Sequence, residues 1–321
     1  MVMNYLNLFR WKNLLISGVT ILISKYAIFE PAIEDLLPKS NATLNFGETL
    51  LLSLSVMIIA AAGYVVNDIN DVKSDEINKP LKVIVGKSIS INAAKNIYLV
   101  LNAIGLLLAL FVANLAGNYK LVILHLIVAA ILWIYSSYLK NSFLIGNLLI
   151  SIASALVPVT YLFFESLGYI QVYGFDLNLK FKSILGGPLE ILFYFSVGLS
   201  IFGFLISFIR EIIKDLQDYK GDYFVGAKTI PIVLGEKWTK VIIQIMSVGL
   251  IVMISYANFF WLSELNIGLT PFTVYNCIFP ILLLVIISSI GKSNNYQKQS
   301  DICKVIMTIG ILSPMIYAFN I

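Results

Sequence analysis

Two short stretches of the sequence carry aspartates at the same spacing, and each stretch follows a long apolar segment. Both have the pattern D-x-x-D-x-x-x-D. The aspartates are Asp68, Asp71 and Asp75 in the first stretch and Asp215, Asp218 and Asp222 in the second. Positions i, i+3 and i+7 of a helix share one face, so each stretch can present three carboxylates in one direction. Clustered carboxylates repel one another unless a divalent cation lies between them, and their oxygens suit Mg²⁺ better than softer metals. We therefore predict one cation site built from both stretches.

Basic residues flank both stretches, as the binding of a phosphorylated ligand requires. They are Lys79 and Lys82 after the first stretch, Arg210 and Lys214 at the start of the second, and Lys228 after it. Magnesium in proteins usually bridges one or two carboxylates to the phosphates of a substrate. A metal surrounded by lysine and arginine can stabilise a departing diphosphate. Each lysine taken alone would fit a solvated loop with i,i+4 ion pairs equally well.

The composition is that of an integral membrane protein. Of the 321 residues 59% are hydrophobic and 12% are charged, whereas soluble domains carry about 25% charged residues. The mean hydropathy is +0.89. The net charge of +4 is small, and no basic groove with interleaved aromatic residues is present, so we expect no nucleic-acid partner. Cys277 and Cys303 lie in or beside apolar segments and are interpreted as packed free thiols.

Apolar segments recur from one end of the chain to the other and predict an all-α, polytopic bundle of nine transmembrane helices. The segments are 14–29, 49–66, 93–113, 121–138, 143–164, 189–209, 241–262, 271–290 and 303–319. Lys25 interrupts the first segment, but a lysine near a helix end can extend to the interface. No small-x-small cleavage site follows this segment, so we expect it to remain as the first span. We predict a single domain over residues 1–321, with no obligate protein partner.

The loop charges predict the orientation. Most of the 22 lysines and arginines lie on one side if the N-terminus and residues 67–95, 139–142, 210–240 and 291–304 share that side. By the positive-inside rule this side is cytoplasmic. The loops after helices 2 and 6 are then long cytoplasmic caps, and both aspartate stretches face the cytoplasm. We expect a multi-pass protein of the plasma or inner cell membrane, with its site on the cytoplasmic side.

At these residues the chain resembles the UbiA-type superfamily of membrane prenyltransferases, which have an N-D-x-x-D-x-x-x-D motif after helix 2 and a D-x-x-x-D motif after helix 6. The matching residues are Asn67, Asp68, Asp71 and Asp75 for the first motif and Asp218 and Asp222 for the second. Arg10-x-x-Asn13 at the start of helix 1 and Tyr135-Ser136 with Lys140 at the end of helix 4 extend the resemblance over essentially the whole chain.

The resemblance implies magnesium-dependent transfer of an isoprenyl group from its diphosphate to a lipophilic acceptor. Two Mg²⁺ ions would be bound by Asn67, Asp68, Asp71, Asp75, Asp215, Asp218 and Asp222, with Asp71 and Asp218 central to catalysis. Substrate would be bound by Asn13, Asn67, Lys79, Lys82, Tyr135, Lys140, Arg210, Lys214 and Lys228.

The second stretch, followed by Gly226-Ala227-Lys228-Thr229-Ile230-Pro231, is similar to one subgroup, the digeranylgeranylglyceryl phosphate synthases. That subgroup adds a geranylgeranyl chain to geranylgeranylglyceryl phosphate in ether-lipid synthesis. It commonly has N-R-P-x-R-P after the first motif, where this chain has Asn78-Lys79-Pro80-Leu81-Lys82-Val83. The positive charges are kept, but the bidentate phosphate fork of arginine is lost.

Three alternatives differ in function. An aromatic acceptor would make the protein an enzyme of quinone-precursor synthesis. A transporter would place its acidic residues near the middle of the membrane, whereas these lie at predicted helix ends. A phosphatidyl-type alcohol transferase should have D-G-x-x-A-R after its first aspartates, and Val72-Lys73 follows Asp71 here. His125 lies in an apolar helix and is interpreted as a bundle histidine rather than a base.

Overall fold

The computed structural model describes residues 2–31, 44–173, 188–261, 271–292 and 295–318. Within these ranges nine helices are long and apolar enough to cross a membrane, which confirms the predicted all-α architecture. Their main α-helical parts are α1 (Trp11–Ile23), α2 (Phe46–Asn70), α3 (Ile91–Leu115), α4 (Val122–Ile134), α5 (Ile145–Tyr173), α6 (Pro188–Phe224), α7 (Ile230–Tyr256), α8 (Ile278–Lys292) and α9 (Tyr296–Ala318).

Shorter elements extend or connect these helices. Wider π-helical turns continue three of them, at Ser24–Phe29 after α1, Tyr135–Leu139 after α4 and Ala257–Trp261 after α7. A 3₁₀ turn, Tyr119–Leu121, precedes α4. Separate short helices are Val2–Leu8, Val72–Asn78 and Pro271–Asn276. The helix Val72–Asn78, called the loop helix below, carries the end of the first aspartate stretch.

Local sequence explains where α2 and α3 begin. Asn45 accepts a hydrogen bond from the Glu48 backbone N–H at 3.0 Å, and the Glu48 carboxylate accepts one from the Asn45 N–H at 2.8 Å. This reciprocal capping box satisfies amide groups that the first turn leaves without helical partners. Ser90 caps α3 in the same way through the Ala93 N–H. Both caps lie directly before apolar segments that the sequence predicts to be spans.

Helix α6 extends beyond its apolar segment. The sequence predicts a span at 189–209 and a loop at 210–240, but α6 continues to Phe224 and α7 begins at Ile230. Charged residues end an apolar segment without ending a helix, because pairs spaced by three or four residues stabilise it. Lys214 and Glu211 form such a pair. The connection turns at Gly226, whose φ of +75° favours glycine. The cap after helix 6 is therefore mostly helical.

Two apolar clusters form the interior of the bundle. One joins α1 to α5 and includes Ile21, Leu52 and Phe164. The other joins α6 to α9 and includes Ile213 and Leu283. Lipid tails are as apolar as the side chains, so no hydrophobic effect drives helices together within the membrane. Close contacts between helices therefore depend on small residues. The two clusters leave a cavity between them, which the functional site uses.

Small residues allow α1 and α2 to approach closely. Ser53 Oγ donates to the Gly18 carbonyl at 3.1 Å. A Cβ added at Gly18 would lie 2.5 Å from Met57 Sδ, so a larger side chain would push the helices apart. The contact holds the start of α1, which carries Arg10 and Asn13 at its N-terminal end, against the helix that ends in the first aspartate stretch.

Lys25 does not extend to the membrane surface as its position near a helix end suggests. Its side chain is 2% exposed and donates to the Leu44 carbonyl. Its Nζ lies 3.6 Å from Glu165 and 3.3 Å from Glu30. Burial of the ammonium group is possible because carboxylates and a carbonyl surround it. This network joins α1, α2 and α5 at the end of the bundle opposite the aspartates.

His125 and Cys303 lie where the sequence predicts, whereas Cys277 does not. Within the membrane, Ser55 Oγ lies 2.9 Å from His125 Nε2, which fits a buried bundle histidine. In the described part of the chain neither cysteine forms a disulfide, and Cys303 is buried. Cys277, expected to be packed, is exposed; it follows the short helix Pro271–Asn276.

Candidate active site

The loop helix contacts α6 and brings the two aspartate stretches together. Asn78 Nδ2 donates to the Asp218 carbonyl at 2.9 Å, and the Gly221 N–H donates to Asn78 Oδ1 at 2.8 Å. A Cβ added at Gly221 would lie 2.6 Å from the Ser74 carbonyl oxygen. Only glycine permits this approach, so Asn78 and Gly221 position one stretch against the other.

Two lysines lie among the carboxylates of both stretches. Lys79 Nζ is 2.7 Å from Asp218 Oδ1 and donates to Oδ2 at 2.8 Å, so a residue after the first stretch binds an aspartate of the second. Lys140 pairs with Asp71 and also interacts electrostatically with Asp222. We call Asp71, Asp75, Lys79, Lys140, Asp218 and Asp222 the aspartate–lysine cluster. It is a mixed-charge site to which three separate segments of the chain contribute.

Local backbone geometry positions Asp71 and Lys140. Asp71 lies between α2 and the loop helix, with φ −92° and ψ −1°. Its side chain is 7% exposed, and its Oδ2 accepts from Asn67 Nδ2 at 2.6 Å. The wide turn after α4 directs Lys140 towards it, with the Lys140 N–H donating to the Tyr135 carbonyl at 2.8 Å. Burial opposes the charge on Lys140, but Asp71, Tyr135 and Asp222 together outweigh it and raise the lysine pKa.

The first aspartate of each stretch has a partner outside the cluster. Asp68 Oδ1 accepts from Arg10 Nη2 at 2.9 Å, and the guanidinium lies 4.7 Å from the centre of the Tyr64 ring. Burial opposes the charge on Arg10, but Asp68, Tyr64, Asp71 and Glu211 together outweigh it and raise the arginine pKa, so the guanidinium stays charged. Asp215 Oδ2 accepts from Asn147 Nδ2 at 2.8 Å. Asp68 and Asp215 thus lie near the cluster while one oxygen of each is already engaged.

The donor set of the cluster fits Mg²⁺ delivered with a phosphate ligand. In the described part of the chain, no three Asp, Glu, His or Cys side chains lie close enough to bind an ion by themselves. Magnesium does not need them, because it keeps several waters and uses one or two carboxylates plus phosphate oxygens. Asp71 of one stretch and Asp218 and Asp222 of the other are hard oxygen donors now neutralised by lysine. Burial and the charge of Asp71 raise the pKa of Asp75, as expected for one carboxylate close to another.

A cavity of about 220 Å³ lies between the two apolar clusters. Its deep part is apolar, with Val56, Leu132, Val157 and Phe202 in the lining. Most of its polar lining residues lie close to the aspartate stretches along the chain or on helices that face them. They are Arg10, Asn13, Tyr64, Asn67, Tyr135, Ser136, Arg210, Glu211, Lys214 and Lys304, and the hydroxyl residues Ser17, Thr20, Ser154 and Ser207 complete the polar lining. An apolar chamber with one polar end suits an amphiphile whose charged head lies beside the aspartates.

A model of the UbiA prenyltransferase family matches residues 36–307. This chain belongs to the UbiA prenyltransferase family. Digeranylgeranylglyceryl phosphate synthase of Saccharolobus solfataricus is 32% identical over 86% of this chain and 88% of the relative. The protein of the same name from Sulfurisphaera tokodaii is 30% identical over 78% of this chain and 80% of the relative. Family membership confirms the prediction of a multi-pass membrane prenyltransferase.

Solved structures share the fold. A structure described as giving insight into digeranylgeranylglyceryl phosphate synthase in membranes has a TM-score of 0.59 at 24% identity, covering 100% of this chain and 99% of that one. A UbiA homologue from Archaeoglobus fulgidus, solved with DMAPP and Mg²⁺, has a TM-score of 0.57 at 15% identity, covering 97% of this chain and 99% of that one. At these identities the likeness establishes the UbiA fold alone.

The predicted site residues of this UbiA-family chain fall into three groups. Asn13, Asn67, Tyr135, Arg210 and Lys214 line the cavity. The second group is the aspartate–lysine cluster, with Asp68 and Asp215 beside it. The third group, Lys82 and Lys228, is exposed, and in the described chain neither side chain contacts the cluster. Binding of diphosphate by these two lysines stays a prediction.

Sequence reasoning missed four residues that hold the site together. Glu211 accepts from both Arg210 and Lys214, Asn147 holds Asp215, and Asn78 joins the two stretches. Lys304 lines the cavity; in the sequence it lies where the charged segment 291–304 overlaps the last apolar segment, 303–319. A helical signal was present, because Met307 and Ile311 follow Lys304 at i+3 and i+7 and line the same cavity.

Proposed function

We propose that this protein transfers a geranylgeranyl group from its diphosphate to geranylgeranylglyceryl phosphate, with Mg²⁺ as cofactor. One observation carries the proposal: the two aspartate stretches of a UbiA-family chain meet around Lys79 and Lys140 beside an apolar cavity. The names of the curated relatives supply the acceptor class. We further propose that two Mg²⁺ ions bind, and that the site faces the cytoplasm of the cell membrane, as the loop charges predict.

In this proposal the cluster binds the donor. Asp71, Asp218 and Asp222 would hold Mg²⁺, supported by Asn67 and Asp75, and the bound ions would neutralise the charge of the diphosphate. Lys79 and Lys140 now pair with the carboxylates. With these carboxylates engaged by Mg²⁺, the ammonium groups of Lys79 and Lys140 would be available to the phosphate oxygens. Lys82 and Lys228 extend from the protein surface towards solvent and would contact the outer phosphate.

The reaction breaks one C–O bond and forms another. The allylic C–O bond of the donor breaks, and its electron pair leaves with the diphosphate. The cationic side chains stabilise that leaving group. The acceptor hydroxyl oxygen then attacks the allylic carbocation to form an ether, and the hydroxyl proton departs with the released diphosphate. The apolar cavity excludes water, which would otherwise capture the carbocation.

Carboxylate-to-amide variants test the proposal. Asp71→Asn and Asp218→Asn remove a metal-binding charge with little change in size, and we expect each to abolish magnesium-dependent prenyl transfer by purified protein in lipid. Glu76→Gln makes the same chemical change on the loop helix at an exposed position and should keep wild-type activity. Retention of wild-type activity by both aspartate variants would refute the assignment of the donor site.

A further inference from the structure

The polar end of the cavity is more basic than donor binding requires. Arg10, Arg210, Lys214 and Lys304 line it, and Glu211 is the one carboxylate in the described lining. No member of the aspartate–lysine cluster belongs to that lining. The structure therefore contains two charged sites: a carboxylate-rich cluster and, next to it, a cation-rich cavity mouth.

Arg210 and Lys214 share a single carboxylate. Arg210 Nη1 donates to Glu211 Oε1 at 2.9 Å, and Lys214 Nζ donates to Glu211 Oε2 at 2.8 Å. Two cations and one anion leave an excess positive charge. The Arg210 Nε–H is buried and has no hydrogen-bond partner among the residues that the structure describes. A buried donor without a partner costs about 1–3 kcal/mol, which an acceptor oxygen of a ligand would recover.

Among the described residues, the Lys304 ammonium group is held by an exposed ion pair. Its Nζ lies 2.8 Å from Asp301 Oδ1, and the side chains are 35% and 52% exposed. Such exposed pairs contribute about 0–1 kcal/mol, so Lys304 can exchange Asp301 for a bound anion at little cost. Because Lys304 lies on α9 and the other two cations lie on α6, these side chains approach the cavity from two helices.

We propose that Arg210, Lys214 and Lys304 form a phosphate site for the acceptor, separate from the cluster that binds the donor diphosphate. This inference rests on the proposed function. The site would take an amphiphile with a phosphate monoester head and an isoprenoid tail: the guanidinium binds two phosphate oxygens, the lysines add point charges, and the apolar lining receives the tail. Binding of the head at this site brings the acceptor hydroxyl next to the donor.

Lys304→Gln tests the site without touching the cluster. We expect the KM for the alkylglycerol phosphate acceptor to increase at least about tenfold, the loss of roughly one charge-assisted hydrogen bond, while the KM for geranylgeranyl diphosphate stays unchanged. Lys304→Arg should restore much of the acceptor affinity. Lys298→Gln removes the same charge from an exposed position on the same helix and should match wild type.

A binding measurement separates recognition from chemistry. Without donor, the Kd of the acceptor should increase about tenfold for Lys304→Gln, whereas the Kd of the same alkylglycerol without phosphate should not change. An active wild-type protein with equal acceptor KM in Lys304→Gln would overturn the phosphate site alone, as would a parallel increase in both KM values. A wild-type protein that neither binds nor prenylates the phosphorylated acceptor would overturn the proposed function as well.

Discussion

Gly221→Ala should uncouple the two aspartate stretches without unfolding the protein. The new Cβ would lie 2.3 Å from Asn78 Nδ2 and 2.6 Å from the Ser74 carbonyl oxygen. Asn78 could rotate, but the Ser74 oxygen belongs to the backbone, so the loop helix must move away from α6. Both hydrogen bonds of Asn78 to α6, at 2.8 and 2.9 Å, would then weaken.

The expected size of the effect follows from the cost of that displacement. Overpacking a close contact costs about 1–3 kcal/mol. If the whole cost destabilises the arrangement in which the loop helix contacts α6, kcat/KM decreases about 5- to 150-fold, since about 1.4 kcal/mol corresponds to a factor of ten. Helix propensity acts in the opposite direction, because alanine is favoured over glycine by up to about 1 kcal/mol within a helix. Activity should therefore fall while thermal stability is kept.

The assay is prenyl transfer by purified protein reconstituted in lipid, with thermal unfolding measured on the same samples. Gly198→Ala is the matched control: it makes the same change on the same helix, where no atom lies within 4 Å of the new Cβ. Equal kcat/KM values in Gly221→Ala and Gly198→Ala would refute the idea that the loop helix must contact α6 at Gly221 for activity.

Three further predictions concern charge. Lys140→Met should lower kcat about 100-fold, which is the size of effect expected from losing one electrostatic contact to the leaving group. It should also lower the Mg²⁺ concentration for half-maximal activity, because the ammonium group no longer competes with the metal for Asp71. An increased Mg²⁺ requirement would contradict this. Lys25→Met leaves Glu165 buried without its cation and should cost about 3–5 kcal/mol, seen as a lower unfolding midpoint than in Lys95→Met, an exposed control. Burial and the charge of Asp71 raise the pKa of Asp75 above the usual aspartate range, so the Mg²⁺ concentration for half-maximal activity should increase on acidification, beginning at a higher pH than for an ordinary aspartate. Asp75→Asn should reduce this increase. Identical pH profiles for the wild type and Asp75→Asn would exclude Asp75 as the titrating group.

Patterns within short segments predicted the parts of the structure that depend on local sequence. Apolar length predicted nine spans, and repeated aspartate spacing predicted that two distant segments serve one site. Hydropathy could not show that α6 continues to Phe224, because the charged residues there are compatible with a helix. The same limitation left Lys304 at the boundary between the charged segment 291–304 and the apolar segment 303–319.

Contacts between distant segments were beyond prediction because packing decides them. Lys140 lies 69 residues from Asp71, and its direction depends on the wide turn after α4. Lys25 resembled a lysine at the membrane interface, whereas Glu165, supplied by α5, makes its burial possible. In each case the sequence identified a charged residue in an unusual position, but the residue that pairs with it lies in a distant segment of the chain.

The identity of the product tests the central claim most directly. Purified protein should be incubated with geranylgeranyl diphosphate, Mg²⁺ and equal amounts of geranylgeranylglyceryl phosphate and an aromatic quinone precursor, and the lipids analysed by mass spectrometry. The proposal predicts a single new lipid, the glyceryl phosphate carrying a second geranylgeranyl ether, which disappears when Mg²⁺ is chelated. Prenylation of the aromatic compound with the glyceryl phosphate left unchanged would contradict it.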